Sequence, residues 1–127
     1  MELRKLAASF WPGPLTLVVA KHPNLPAEVS AGPAVGLRVP DHPVARALLS
    51  AAGPMAVTSA NRSGEAECTT AEQVLSVLGG RIELILDGGA APGGRPSTVV
   101  DCTSSPPRLL RAGPISMEAV LECLADQ

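Results

Sequence analysis

Proline and glycine cut this chain at short intervals, and that punctuation limits what it can fold into. Thirteen prolines and twelve glycines are spread over 127 residues. They gather at Trp11-Pro12-Gly13-Pro14, within His22 to Pro33, at Gly53-Pro54, at Gly79-Gly80, from Asp87 through Gly94, and at Gly113-Pro114. Proline lacks a backbone donor and restricts the residue before it, and glycine favours turns, so no element can run far. The runs between these breaks are apolar. The chain therefore reads as many short elements around a core rather than as a disordered segment. Hydrophobic residues make up 46% of it, almost all aliphatic, with one Phe, one Trp and no Tyr. This length suits a single domain spanning residues 1–127.

Leu3, Leu6, Ala7 and Phe10 recur at helical spacing, predicting a helix over Glu2 to Phe10 that begins as if continuing an earlier element. Leu15 to Ala20 and Val35 to Val39 are apolar and β-branched, and read as strands. Asp41-His42-Pro43 opens a second helix, with Asp41 as N-cap and Pro43 in the first turn. Val44, Ala47, Leu48 and Ala51 form its stripe, and Gly53 stops it. Pro54 to Val57 and Ile82 to Leu86 are expected as short strands. Between them, Thr69-Thr70-Ala71-Glu72 matches a capping box for a helix carrying Val74, Leu75 and Leu78. Ser97 to Cys102 and Arg108 to Arg111 are close enough for an antiparallel hairpin, and Ser116 can cap a last helix with Val120, Leu121 and Leu124. The expected class is α/β, a twisted mixed β-sheet with flanking helices.

Several function classes lose support at this level. A formal net charge of -2 gives no general basis for non-specific nucleic-acid binding. Cys68, Cys102 and Cys123 are odd in number and lack CxxC spacing, so they read as reduced thiols in a cytoplasmic protein, with no metal site. No apolar run approaches the about 20 residues of a membrane span, and no signal-peptide pattern opens the chain. The Gly/Pro loop after Asp87 matches neither a P-loop nor a dinucleotide fingerprint. His42 reads as a capping or packing histidine, since no nucleophile or metal-ligand pattern accompanies it.

What chemistry there is concentrates at predicted strand ends. Thr58, Ser59, Asn61 and Ser63 place three hydroxyls and an amide within six residues after Val57. Such a loop is either a ligand site at a sheet edge or a turn that satisfies its own backbone. Arg38, in an otherwise apolar strand, either meets an anion or lies on an edge strand with its side chain in water. With Arg111 and Ser97 it completes a set of cations and hydroxyls suited to a carboxylate or phosphate. No nucleophile–base pair stands out, so any catalysis would act through positioning and electrostatics.

Five motifs carry a resemblance to a family. In order they are Phe10-Trp11-Pro12-Gly13-Pro14-Leu15-Thr16, Leu37-Arg38-Val39-Pro40-Asp41-His42-Pro43, Thr58-Ser59-Ala60-Asn61-Arg62-Ser63-Gly64, Ser97-Thr98-Val99-Val100-Asp101 and Leu110-Arg111-Ala112-Gly113. Together they resemble the YrdC-like threonylcarbamoyl-AMP synthases over nearly the whole chain. The resemblance implies a twisted mixed sheet with an open concave cleft. It also implies a nucleotidyltransferase that joins L-threonine, bicarbonate and ATP into threonylcarbamoyl-AMP and pyrophosphate, for the t6A37 modification of tRNA by downstream threonylcarbamoyl-transferase machinery. Magnesium would accompany ATP, with no protein-bound metal. On the matching positions, Arg38, Val57 (through its backbone) and Ser97 are implied on the threonine side. Ser59, Asn61 and Arg111 are implied on the ATP side, and no catalytic residue is singled out.

The departures from the family pattern set further expectations. The family's N-terminal third, with a Pro-Thr motif for threonine and a Lys-x-Arg motif for ATP, has no counterpart in residues 1–127, where Lys5 is followed by Leu6 and Ala7. Ala34 stands where a hydroxyl residue often contacts the nucleotide, Glu67 stands at another nucleotide position, and Pro96 replaces a common acidic residue. The chain thus looks like the C-terminal two-thirds of a synthase, expected to turn over little or no substrate by itself. Two competing readings are a non-catalytic RNA- or nucleotide-binding YrdC-like module and the related domain of hydrogenase-maturation carbamoyltransferases.

Overall fold

A computed structural model describes residues 2–92 and 95–126. The element order is α1 (Glu2–Phe10), β1 (Leu15–Ala20), β2 (Ala34–Leu37), α2 (Pro43–Ala52), α3 (Ala71–Leu78), β3 (Thr98–Asp101), β4 (Arg108–Arg111) and α4 (Met117–Ala125). The chain forms two compact units, one of Met1–Arg46 with Arg95–Gln127 and one of Ala47–Gly94.

The first unit holds a four-stranded sheet in the order β2-β1-β3-β4. β1 runs antiparallel to β2 and parallel to β3, while β3 and β4 form an antiparallel hairpin. The mixed sheet and the hairpin are as the sequence predicts. Leu15 and Leu17 of β1 and Val100 of β3 point to one face, where they meet Leu6 of α1 and Val120 of α4 in a fully buried core. Phe10, Trp11, Ile115 and Leu124 pack around it. Strand periodicity sends Thr16, Ser97 and Val99 to the opposite face.

Two polar locks tie loops to this sheet. The Thr98 hydroxyl, fully buried, donates to Ile115 O at 2.7 Å and accepts from Ile115 N at 2.9 Å. Ser116 caps α4 as predicted, its hydroxyl accepting from Ala119 N. At the end of β3, Asp101 accepts from the Thr103 hydroxyl and amide and pairs with Arg108 at 3.2 Å. The Thr103 hydroxyl first, then its amide and the Arg108 guanidinium, hold the Asp101 carboxyl below its ordinary value of 3.8. A depressed carboxyl contributes stability that is complete above its unfolded pKa and is lost as pH falls through the folded value. Urea midpoints are therefore expected to be insensitive to Asp101 above about pH 5 and to fall below about pH 4. Asp101→Asn should flatten that acid limb, and an unchanged limb would remove Asp101 as its cause.

The cysteines are free, as expected. Burial first, then the Asp101 and Glu2 carboxylates, push the Cys102 thiol above its ordinary value, so it stays protonated.

The second unit departs from expectation. Neither Pro54 to Val57 nor Ile82 to Leu86 forms a strand; the latter makes only an isolated bridge, Gly79 with Ile82. Both segments are apolar, but a strand exists only through pairing, and within this unit no strand lies beside them. Val57 is accordingly 80% exposed and Leu84 73%. No described residue from 47 to 92 is fully buried, so this unit has no closed core.

Two caps are also displaced by one residue. The cap of α2 is His42 rather than Asp41: its Nδ1 accepts from Val44 N at 3.2 Å. An imidazole nitrogen can serve there once Pro43 starts the helix. In α3 the N-cap is Thr70, accepting from Gln73 N, while Gln73 Oε1 reaches back to Thr69 N. Gln73 thus takes the role expected of Glu72. The second strand ends at Leu37, leaving Arg38 just beyond it.

Candidate functional site

The face of the sheet turned away from the core carries Thr16, Ser97 and Arg111. Register brings Thr16 and Arg111 into one row. Thr16 of β1 lies opposite Val99 of β3, and Val99 lies opposite Arg111 of β4. The row therefore reads Thr16, Val99, Arg111 across β1, β3 and β4. The β1–β2 pairing ends at Leu17 and Leu37, and just beyond it Val39 O accepts from Gly13 N, with Arg38 between. Arg38 follows the edge strand β2, and Arg111 ends the opposite edge strand β4.

Between them lies a hydroxyl pair. Thr16 Oγ1 and Ser97 Oγ are 2.7 Å apart, although 81 residues separate them in sequence. Arg111 grips the same serine, donating from Nε and Nη2 to Ser97 O at 3.0 and 2.9 Å and from Nη2 to Ser97 Oγ at 3.1 Å. Ser97 is only 6% exposed. On the far side, Arg38 Nε donates to Gly13 O at 3.1 Å, which anchors its stem while the side chain stays exposed. The edge-strand reading of Arg38 holds: it follows the edge strand β2 with its side chain exposed, bonded to a backbone carbonyl.

Gly113 makes this arrangement fit. A Cβ there would overlap Thr98 N and lie 2.7 Å from both Pro96 O and Ser97 C. Only glycine lets the turn after Arg111 approach the backbone that carries Ser97.

In the second unit the polar loop is organised by Asn61. Its Nδ2 donates to Arg62 O at 2.8 Å and Glu65 O at 3.2 Å, and Cys68 N donates to Ala60 O. Asn61 therefore does satisfy its own loop, as the turn reading required. Its Oδ1, however, is buried without a hydrogen-bond partner among the described residues. An unmet buried acceptor costs about 1–3 kcal/mol, so the loop offers a place for a donor. Ser59 and Val57 are exposed.

Sequence reasoning brought out Arg38, Ser97 and Arg111 and passed over Thr16. The available signal was its place as the one hydroxyl in Leu15-Thr16-Leu17-Val18-Val19, between two core leucines.

A mixed four-stranded sheet with helices packed on one face, and hydroxyls and a guanidinium group gathered on the other, defines an α/β domain. The chain belongs to the Sua5/YciO/YrdC family, whose sequence model, described as "Telomere recombination", matches residues 1–113. A protein of Mycobacterium tuberculosis is 47% identical over 122 residues, covering 95% of this chain and 56% of its own length. The threonylcarbamoyl-AMP synthase of Bacillus subtilis is 45% identical over 122 residues, covering 94% of this chain and 35% of its own. Among solved structures, Pyrococcus abyssi Sua5 complexed with L-threonine superposes with a TM-score of 0.88 at 40% identity, covering 98% of this chain and 37% of that one. The chain thus spans about half the length of its mycobacterial relative and about a third of the other two.

Proposed function

We propose that this chain carries threonine- and nucleotide-binding groups of an L-threonylcarbamoyladenylate synthase. The observation that carries the reading is the polar cluster on the face opposite the core, in which Arg111 holds the Ser97–Thr16 hydroxyl pair, with Arg38 just past the edge strand β2. A related structure at 40% identity was solved with L-threonine bound, which supports an amino acid as one ligand. In this reading Arg38 takes the threonine carboxylate, Ser97 a polar group of the amino acid, and Val57 offers its backbone. Ser59, Asn61 and Arg111 serve ATP, with the orphaned Asn61 Oδ1 ready for a donor.

The substrates define the chemistry. The threonine amine takes up bicarbonate as a carbamate with loss of water. A carbamate oxygen then displaces pyrophosphate from the α-phosphorus of ATP, giving threonylcarbamoyl-AMP. Side chains here contribute orientation and charge neutralisation rather than a covalent intermediate. Magnesium enters as part of the ATP substrate. The product supports t6A37 formation in tRNA through separate transferase machinery, in the cytoplasm. No described helix is long and apolar enough to cross a membrane.

Calorimetric titration with L-threonine tests the binding half of the proposal. A charge-assisted hydrogen bond contributes about 1.5–3 kcal/mol, so Arg38→Ala is expected to weaken threonine roughly 10- to 100-fold, with Arg38→Lys in between. Unchanged affinity would remove Arg38 from the site. Pyrophosphate release that requires both threonine and bicarbonate is the signature of the full reaction. Nucleotide or tRNA binding without threonine dependence would instead identify a non-catalytic module.

A further inference from the structure

We propose that Thr16 is a positioning residue that sets the Ser97 hydroxyl for ligand. The proposal rests on the reading of Ser97 and Arg111 as ligand contacts, and on geometry that reading did not use. A serine hydroxyl has one proton to donate and two lone pairs. The Ser97 oxygen already accepts from Arg111 Nη2 at 3.1 Å and shares a 2.7 Å hydrogen bond with Thr16 Oγ1. Two of its three capacities are spent inside the protein, leaving one for a ligand. Thr16 therefore decides what Ser97 offers. If Thr16 donates, Ser97 presents its proton outward; if Thr16 accepts, Ser97 presents a lone pair.

Thr16 is itself held in place. It is β-branched, so its χ1 has few options. A Cβ on Gly36 would lie 3.1 Å from Thr16 Cγ2, so the absence of a side chain at Gly36 leaves room for the threonine methyl. With that methyl lodged beside β2, the hydroxyl is directed across to β3. Leu15 and Leu17, buried on either side along the strand, pin the backbone from the opposite face. The near burial of Ser97 keeps water from substituting freely for the threonine hydroxyl.

Thr16→Val keeps the branched shape and strand preference but deletes the hydroxyl. Threonine affinity is expected to fall roughly tenfold, the scale of one buried hydrogen bond. Thr16→Ser should restore it to within about threefold, because it returns the hydroxyl and lacks only the methyl. The Arg111 Nε–H resonance, followed by NMR without ligand, is expected to shift in Thr16→Val and to return in Thr16→Ser. A general structural role predicts no such rescue. If Thr16→Val does not fold, Thr16→Ala makes the same comparison against Thr16→Ser. Native-like affinity and an unmoved Arg111 resonance in Thr16→Val or Thr16→Ala would overturn the proposal, as would weakening that serine fails to rescue. Absence of threonine binding by the unsubstituted chain would overturn the functional reading, and the positioning role with it; native binding with indifferent Thr16 variants would overturn the positioning role alone.

Discussion

Gly113→Ala is expected to destabilise the first unit by about 3 kcal/mol and to weaken threonine binding more than tenfold. The new Cβ would press on Thr98 N, Pro96 O and Ser97 C, all backbone atoms that cannot swing aside as a flexible side chain could. Relief requires moving either the turn after β4 or the segment leading into β3. Each movement breaks something specific. Shifting Ser97 pulls its carbonyl and hydroxyl from Arg111 and its hydroxyl from Thr16. Shifting the turn strains the two hydrogen bonds between Thr98 and Ile115, and with them the entry to α4. Stability and site are therefore coupled at this glycine. Urea unfolding and threonine titration on the same preparation test the pair. A variant that keeps both within error would show that the turn has slack these distances do not allow.

Leu15→Ala is the second large effect, expected at about 2–5 kcal/mol. Leu15 is fully buried at the start of β1, and the core has few members: among the described residues, Leu6, Leu17, Val100 and Val120 are the other fully buried apolar ones. Removing the isopropyl group leaves a cavity bounded by a strand paired on both sides and by two helices, which limits collapse. The Leu15 carbonyl also accepts from Trp11 Nε1 at 2.7 Å, so a shift of the strand to fill the gap would disturb the end of α1. With typical domain stability of about 5–15 kcal/mol, such a loss is a large fraction of the total. Chemical denaturation is the measurement, and a change under about 1 kcal/mol would mean that this core repacks.

The contrast between the two units explains why the same apolar signal led to different outcomes. Leu15 to Ala20 and Ser97 to Cys102 found each other as parallel neighbours, and Leu15, Leu17 and Val100 among them are buried on the core face. Pro54 to Val57 and Ile82 to Leu86 are as apolar in sequence, yet form no strand and lie largely exposed. Apolar content specifies that a segment favours burial. It does not specify which segment will cover it.

Much of the local structure followed from the amino-acid sequence alone. The bounds of α1, β1 and β4, the antiparallel hairpin and the Ser116 cap depend on spacing, proline and glycine placement, and hydroxyls at helix starts. These interactions reach only a few residues, so a linear reading captures them. The types of residue that cluster on the polar face, arginine and hydroxyls, were legible for the same reason. Tertiary structure alone decided the partners. Parallel pairing of β1 with β3 brings Thr16 against Ser97 across 81 residues, and the adjoining hairpin delivers Arg111 to the same oxygen. No periodicity encodes that meeting, because register between distant strands is set by which faces must be buried together. Burial of Leu15, Leu17 and Val100 on one side of the sheet is what leaves Thr16, Ser97 and Arg111 aligned on the other.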